Sequence, residues 1–178
     1  VAKGKSKLVF KGKIFSVNRK KIRLAPGRMV TREWIKHPGA AGVLALTDKG
    51  QVVLVEQFRP AVDESLLEIP AGLLPLGEEP VDCARRELEE ETGYQAKELV
   101  KLAEFYTTPG CSDEVFHLFL AQGLVKKSCL SLDEDEELTV KELRLADALQ
   151  LVKDGRIKDG KTVIALLLAK NWRGLDGR

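Results

Sequence analysis

Glu87, Glu89, Glu90 and Glu91 crowd the second half of a stretch that runs from Pro80 to Thr92. Read at helical spacing, Glu87 and Glu91 are i, i+4 partners, and Glu90 lies three residues on from Glu87, so these carboxylates share one face. Stability alone argues against the arrangement. A helix C-terminus already presents negative charge, and each misplaced carboxylate there costs a few tenths to about 1 kcal/mol. Like charges at i, i+4 add a similar penalty. The bland reading is a solvated charged face. The chemical reading is a bound divalent cation, and Mg²⁺ suits it, being hard, selecting oxygen ligands and binding through a few carboxylates together with substrate phosphates.

The spacing around these glutamates favours the chemical reading. Gly72, Glu78, Arg86, Glu87, Leu88, Glu90, Glu91 and Gly93 fit the pattern G-x5-E-x7-R-E-U-x-E-E-x-G-U, where U is a bulky aliphatic residue. The last U holds Tyr94, a departure in type that keeps a bulky side chain. The segment from Gly72 to Tyr94 resembles the signature box of the Nudix hydrolases. That resemblance implies a loop–helix–loop holding metal against a diphosphate. It implies Glu87, Glu90 and Glu91 as metal ligands, with Glu90 also counted among the catalytic residues and the Ala71 carbonyl as a further ligand. Arg86 is implied to hold a helix carboxylate in place, and Glu78 to be a structural partner. Gly72 permits close backbone approach. The implied cofactor is Mg²⁺, with Mn²⁺ as a substitute.

Features outside the box resemble the ADP-ribose pyrophosphatase subgroup. Pro109 follows Gly93 by 16 residues, and Leu67-Glu68-Ile69-Pro70-Ala71-Gly72, Glu56-Gln57-Phe58-Arg59 and Asp159-Gly160-Lys161-Thr162 resemble its sequences. The implied reaction is hydrolysis of ADP-ribose to AMP and ribose 5-phosphate by a homodimer. Another nucleoside diphosphate sugar, a dinucleotide, or a non-catalytic ligand-binding module on the same fold are the alternatives. By the same resemblance Phe15 stacks on adenine, with Trp34 a second candidate, and Arg32 and Arg59 contact phosphate or ribose. Ordinary packing for the aromatics and surface ion pairs for the arginines are the competing readings. The acidic run Asp133–Glu137 reads by composition as a solvated loop. The resemblance puts a catalytic glutamate there, Glu136 by register with Glu137 as the alternative. Ser112, Asp113 and Glu114 are further candidates for lining the site.

The elements that must carry these residues are legible as periodicities. Pro80 suits a first helical turn and Gly93 a left-handed cap, so a helix is expected over Pro80–Thr92. Val81, Ala84 and Leu88 form its apolar stripe. Further helices are expected over 146–153 and 161–172. Strands are expected at 7–10, 13–17, 20–24, 29–36, 41–46, 51–58, 65–69, 99–106, 115–121 and 138–145, with turns at Gly12, Asn18-Arg19, Pro26-Gly27 and Thr47–Gly50. The fold class is α+β: a Nudix-type mixed β-sheet sandwiched by helices, preceded by a small antiparallel β subdomain. The boundary is placed at 1–38 and 39–178, with the first unit forming the dimer.

Composition limits the rest. With 178 residues, 44% apolar and 31% charged, the chain can bury a real core. A net charge of +2 gives no global field toward nucleic acid or membrane, so neither is expected as a partner. The early basic cluster Arg19, Lys20, Lys21 and Arg23 reads as a solvated strand face. Cys83, Cys111 and Cys129 are widely spaced and odd in number, with no CxxC spacing, which favours a reducing compartment. No stretch approaches 18 apolar residues, and a cytoplasmic protein is expected.

Overall fold

The computed structural model describes residues 5–127 and 138–170. The chain first builds a three-stranded antiparallel sheet from β1 (Lys7–Lys11), β2 (Ser16–Arg23) and β3 (Met29–Lys36), in the order β1-β2-β3. A mixed sheet follows, made of β4 (Ala40–Leu46), β5 (Gln51–Arg59), β6 (Glu64–Glu68), β7 (Ala71–Leu73), β8 (Tyr94–Tyr106), β9 (Val115–Lys126) and β10 (Leu138–Arg144). Its main path is β10-β5-β4-β9-β8, with β6 on β5 and β7 on β4. The β4–β9 pair is parallel and the other pairs are antiparallel.

Helices cover both faces because β4 is buried on both. Its odd residues Ala41, Val43 and Ala45 pack with Cys83, Ala84 and Leu88 of α1 (Pro80–Thr92). Its even residues Leu44 and Leu46 pack with Ala148 of α2 (Leu145–Lys153) and with Ala165, Leu166 and Ala169 of α3 (Gly160–Lys170). A continuous apolar strand with period-2 side chains therefore serves two cores at once.

Most expected elements are present, and four differ. The two strands expected at 13–17 and 20–24 are one, β2, with no turn at Asn18-Arg19. Asn18 pairs with Leu8 on one side and Trp34 on the other, because β2 is the central strand and both ladders hold it extended. β8 begins at Tyr94, five residues before the expected start at Leu99, and β9 runs to Lys126, five past the expected end at Ala121; the added residues of the two strands pair with each other. The short strand β7 was not expected, being formed only by docking on Ala40–Gly42.

The site depends on how β4 and β5 part. They pair only next to their connecting turn, at Ala45–Val53 and Leu46–Val52. Beyond that point β4 takes β7 as its partner and β5 takes β6. The split leaves an opening between the ends of two strands. The small N-terminal sheet closes over its rim through Ile35, whose N–H donates to Cys111 O (2.8 Å) and whose carbonyl accepts from Asp113 N (3.1 Å).

Candidate active site

A cleft of about 590 Å³ lies at this opening. Gln57 and Arg59 line it from the end of β5, and Ala71, Gly72 and Leu73 from β7. Ile14 and His37 come from the N-terminal region, Thr107, Thr108 and Glu114 from the β8–β9 connection, and Asp159, Gly160 and Lys161 from the start of α3. The volume is in the range of pockets that take small organic ligands.

The floor is set by Ala71 and Gly72 of β7, behind which α1 packs. Pro80 occupies the first helical turn, and Gly93 caps the far end at φ 71° with its N–H donating to Glu89 O (2.8 Å). Any residue with a Cβ would be strained at that dihedral. The buried side of α1 includes Glu87 and Glu91, 9% and 3% exposed, alongside Cys83, Ala84 and Leu88. Glu91 Oε2 accepts the Ala71 N–H at 3.1 Å. Glu87 stands where a side chain at residue 72 would be: a Cβ on Gly72 would lie 2.0 Å from Glu87 Oε1. Two buried carboxylates thus press against the backbone that forms the cleft floor.

Arg86 gathers the other carboxylates. Its Nη1 donates to Glu87 Oε1 (2.7 Å) and Glu90 Oε2 (2.9 Å), while Nε and Nη2 donate to the two oxygens of Glu78, each at 3.1 Å. These bonds, with Glu78 foremost, raise the guanidinium above its ordinary range. Reciprocally, Arg86 holds the Glu78 carboxyl below the usual carboxylate range. Cys83 sits beside this group, its thiol pushed up to about 12, first by burial and next by the Glu87 charge. A thiol held protonated in this way is a packing residue and not a nucleophile.

These residues fit a hard divalent cation by donor type. Buried carboxylate oxygens from Glu87 and Glu91 meet the Ala71-Gly72 backbone at one place. Among the described residues, no trio of Asp, Glu, His or Cys side chains converges as a ready metal set. The bonds already given show why: Arg86 draws Glu87 and Glu90 around its own charge.

The remaining sequence candidates fall in different places. Arg59 lines the cleft and donates through Nε and Nη2 to Glu68 Oε1 (2.7 Å) and Oε2 (2.9 Å). Phe15 lies in the β1–β2 connection and packs near Phe10, with ring centroids 6.3 Å apart; its neighbour Ile14 is the one that lines the cleft. Arg32 is exposed on β3, and its Nη1 donates to Thr31 O (3.3 Å). Trp34, half-buried on β3, pairs with Asn18. Neither Arg32 nor Trp34 lines this cleft in the single chain. Glu114 lines it, accepting from Thr107 Oγ1 (2.6 Å). Asp113 instead anchors the N-terminal sheet, accepting from Lys36 Nζ (2.8 Å) and His37 N (2.9 Å). Glu136 and Glu137 lie outside the described residues.

Glu68 and Lys161 are site residues to which the sequence reading gave no role. One signal was available for Glu68: it interrupts the apolar run Leu66-Leu67-Glu68-Ile69, and a charge inside a strand of that kind must find partners. Nothing in the sequence indicated that Lys161, 93 residues away, supplies one of them.

A sequence profile of the NUDIX domain matches residues 36–166. The chain is 48% identical over 159 residues to the ADP-ribose pyrophosphatase of Bacillus subtilis (strain 168), covering 89% of this chain and 86% of that protein. It is 45% identical over 163 residues to the methanol dehydrogenase activator of Bacillus methanolicus, covering 91% and 88%. In fold it matches a solved structure described as an ADP compounds hydrolase, with a TM-score of 0.84 and 24% identity over 98% of this chain and 94% of that one. The glutamate-bearing helix, the glycine-containing strand it presses against and these matches agree, and the chain belongs to the NUDIX family.

Proposed function

We propose that this protein hydrolyses the diphosphate of a nucleoside diphosphate sugar, with ADP-ribose as substrate and AMP and ribose 5-phosphate as products. The observation that carries the reading is the pair of buried glutamates, Glu87 and Glu91, against Ala71 and Gly72 of β7 at the floor of a cleft of about 590 Å³. The B. subtilis relative, 48% identical, supports ADP-ribose over other sugars.

In this reading Glu87, Glu90, Glu91 and the Ala71 carbonyl hold Mg²⁺, or Mn²⁺ in its place. When bound, the cation neutralises phosphate charge and makes water a better nucleophile. Glu87 and Glu90, both held by Arg86, would supply carboxylate oxygens to the cation. Arg86 keeps the unused carboxylates compensated, so the helix folds before the cation arrives. Arg59 binds a diphosphate oxygen at the cleft wall. Glu136, or Glu137 beside it, takes the proton from the attacking water, which requires an approach of about 3 Å.

The N-terminal sheet is read as the dimer-forming part. β1 exposes Leu8, Val9 and Phe10, at 52%, 47% and 53%, an apolar surface that a second copy would bury. Phe15, Arg32 and Trp34 would then serve the partner's cleft, with Phe15 or Trp34 stacking on adenine. No helix among the described residues is long and apolar enough to cross a membrane. We read the protein as cytoplasmic and as taking neither nucleic acid nor membrane as partner.

A substrate panel with Mg²⁺ and with Mn²⁺ tests the reading. ADP-ribose is expected to be cleaved fastest. Cleavage of a GDP-sugar with none of ADP-ribose would overturn the substrate choice, and binding without cleavage of any diphosphate would make this a ligand-binding module. Light scattering checks the dimer, which Phe10→Ser is expected to weaken.

A further inference from the structure

Glu68 is a buried carboxylate outside the glutamate-bearing helix. It lies at the end of β6 beside Ile69, and is itself only 2% exposed. A buried carboxylate is tolerated only when cations and hydrogen bonds compensate it. Two cations do so here. Arg59 donates in a two-pronged pair through Nε (2.7 Å) and Nη2 (2.9 Å), and Lys161 Nζ donates to Oε2. Burial by itself would raise the carboxyl, but the bonds from Arg59 and Lys161 outweigh it and hold Glu68 below the usual carboxylate range.

The three groups come from three elements, and each is fixed in turn. Asp159 caps α3 by accepting the Thr162 N–H at 3.0 Å, and its other oxygen accepts from Lys161 Nζ at 3.0 Å. Thr162 Oγ1 accepts the N–H of Ile69, the residue after Glu68, at 2.8 Å. The start of α3 is thereby stitched to the end of β6. In the ladder, Arg59 pairs with Glu64, while Glu68 pairs with Val55, so the Arg59 side chain turns back along its own strand to reach Glu68. An unpaired arginine at a strand end would sample many rotamers and lose that freedom on binding a ligand. A guanidinium has five N–H donors, and a two-pronged bond leaves others directed elsewhere.

We propose that Glu68 is a positioning residue: it fixes the Arg59 guanidinium at the wall of the cleft that Gln57, Ala71 and Gly72 also line, in the orientation that receives a diphosphate oxygen, and Lys161 is the second cation that keeps Glu68 in place. The inference deepens the reading of the cleft as a diphosphate site and rests on it.

The test combines kinetics with a measurement on the unliganded protein. Steady-state kinetics on ADP-ribose are compared for wild type, Glu68→Gln, Arg59→Ala and the double variant. Glu68→Gln is expected to raise KM about tenfold with kcat little changed, the pattern of lost ground-state binding. In the double variant KM is expected to match that of Arg59→Ala alone. A role in stability only would lower the melting temperature and leave KM unmoved, or make the two KM effects multiply, and either result overturns the proposal. Independently, NMR of the wild-type protein should show the Arg59 Nε–H signal, assigned with Arg59→Lys, as ordered before any ligand is added. An averaged signal like that of surface arginines overturns the proposal even if Glu68→Gln does not fold. That measurement needs no substrate, so failure of the ADP-ribose reading is separable from failure of this one, and KM is then read with the diphosphate the panel identifies.

Discussion

Around Arg86, three carboxylates share one guanidinium, and Glu91 stands one turn beyond Glu87. Around Glu68, two cations meet two carboxylates, Arg59 and Lys161 with Glu68 and Asp159. Arg59, Asp159 and Lys161 line the cleft, whereas Arg86 and Glu90 line a separate surface hollow behind its β7 wall; by the bonds named, carboxylates outnumber cations in the first cluster and the second is balanced. Excess charge at a helix C-terminus weakens the fold, so it is retained only where a cation enters with function. A balanced, buried group gains nothing from an added ion; it fixes geometry instead. The contrast separates a place that waits for a partner from a place that holds a tool steady.

The largest expected effect breaks the first cluster. Glu91→Gln is isosteric and can still accept the Ala71 N–H, so the fold should survive. Turnover should fall on the order of 100-fold, the scale of losing a group that orients a metal. Without divalent metal, the melting temperature should hold or rise, since one unfavourable charge is gone. Lowered stability with unchanged turnover would mean that the carboxylate is structural and the contrast mistaken.

Gly72→Ala attacks the same cluster from the backbone. Its Cβ would lie 2.0 Å from Glu87 Oε1, so the carboxylate must move. Turnover is expected to drop about 10- to 100-fold, and the Mg²⁺ concentration for half-activity to rise. A magnesium titration of the variant checks this.

The balanced cluster should show itself in acid. Folding lowers the Glu68 value beneath its ordinary 4.5, so the stabilisation is complete above about 4.5 and is lost as pH falls through the folded value. Glu68→Gln removes that dependence. Near neutral pH the variant should be less stable by about 1–3 kcal/mol, a range kept modest because Arg59 is 40% exposed. The gap between the two proteins should narrow toward pH 3 in thermal unfolding. A constant gap would show that Glu68 is not the titrating group.

The smallest effect sharpens the first cluster's boundary. Cys83, with its thiol pushed up to about 12, should resist a maleimide at pH 8 while exposed Cys111 reacts, as peptide mapping by mass spectrometry would show. Equal labelling would place Cys83 outside the buried, acidic surroundings described for it.

The two clusters were unequally visible beforehand. Every member of the Arg86 group lies between Glu78 and Glu91, close enough in sequence for helical periodicity to bring them together. The Glu68 group is assembled from a strand end, a neighbouring strand and a helix start 93 residues on, and no local pattern encodes that meeting. The same holds for the N-terminal sheet. Turn-forming residues at Asn18-Arg19 suggested a break, and pairing on both edges of β2 overrode it. Phe15 was a candidate by resemblance alone, and within one chain it is the neighbouring Ile14 that lines the cleft, a placement no local pattern states.

The sequence by itself determined the helix from Pro80 to Thr92, its caps, its acidic face and the spacing to Gly72. Those features depend on contacts within a few residues, where backbone geometry leaves little choice. Only the tertiary structure decided where β4 and β5 part, which opens the cleft, and which side chains meet across it. Strand partners are chosen by contacts between distant segments and by the burial of both faces of β4, and a local pattern can state that a strand is buried without saying beside what.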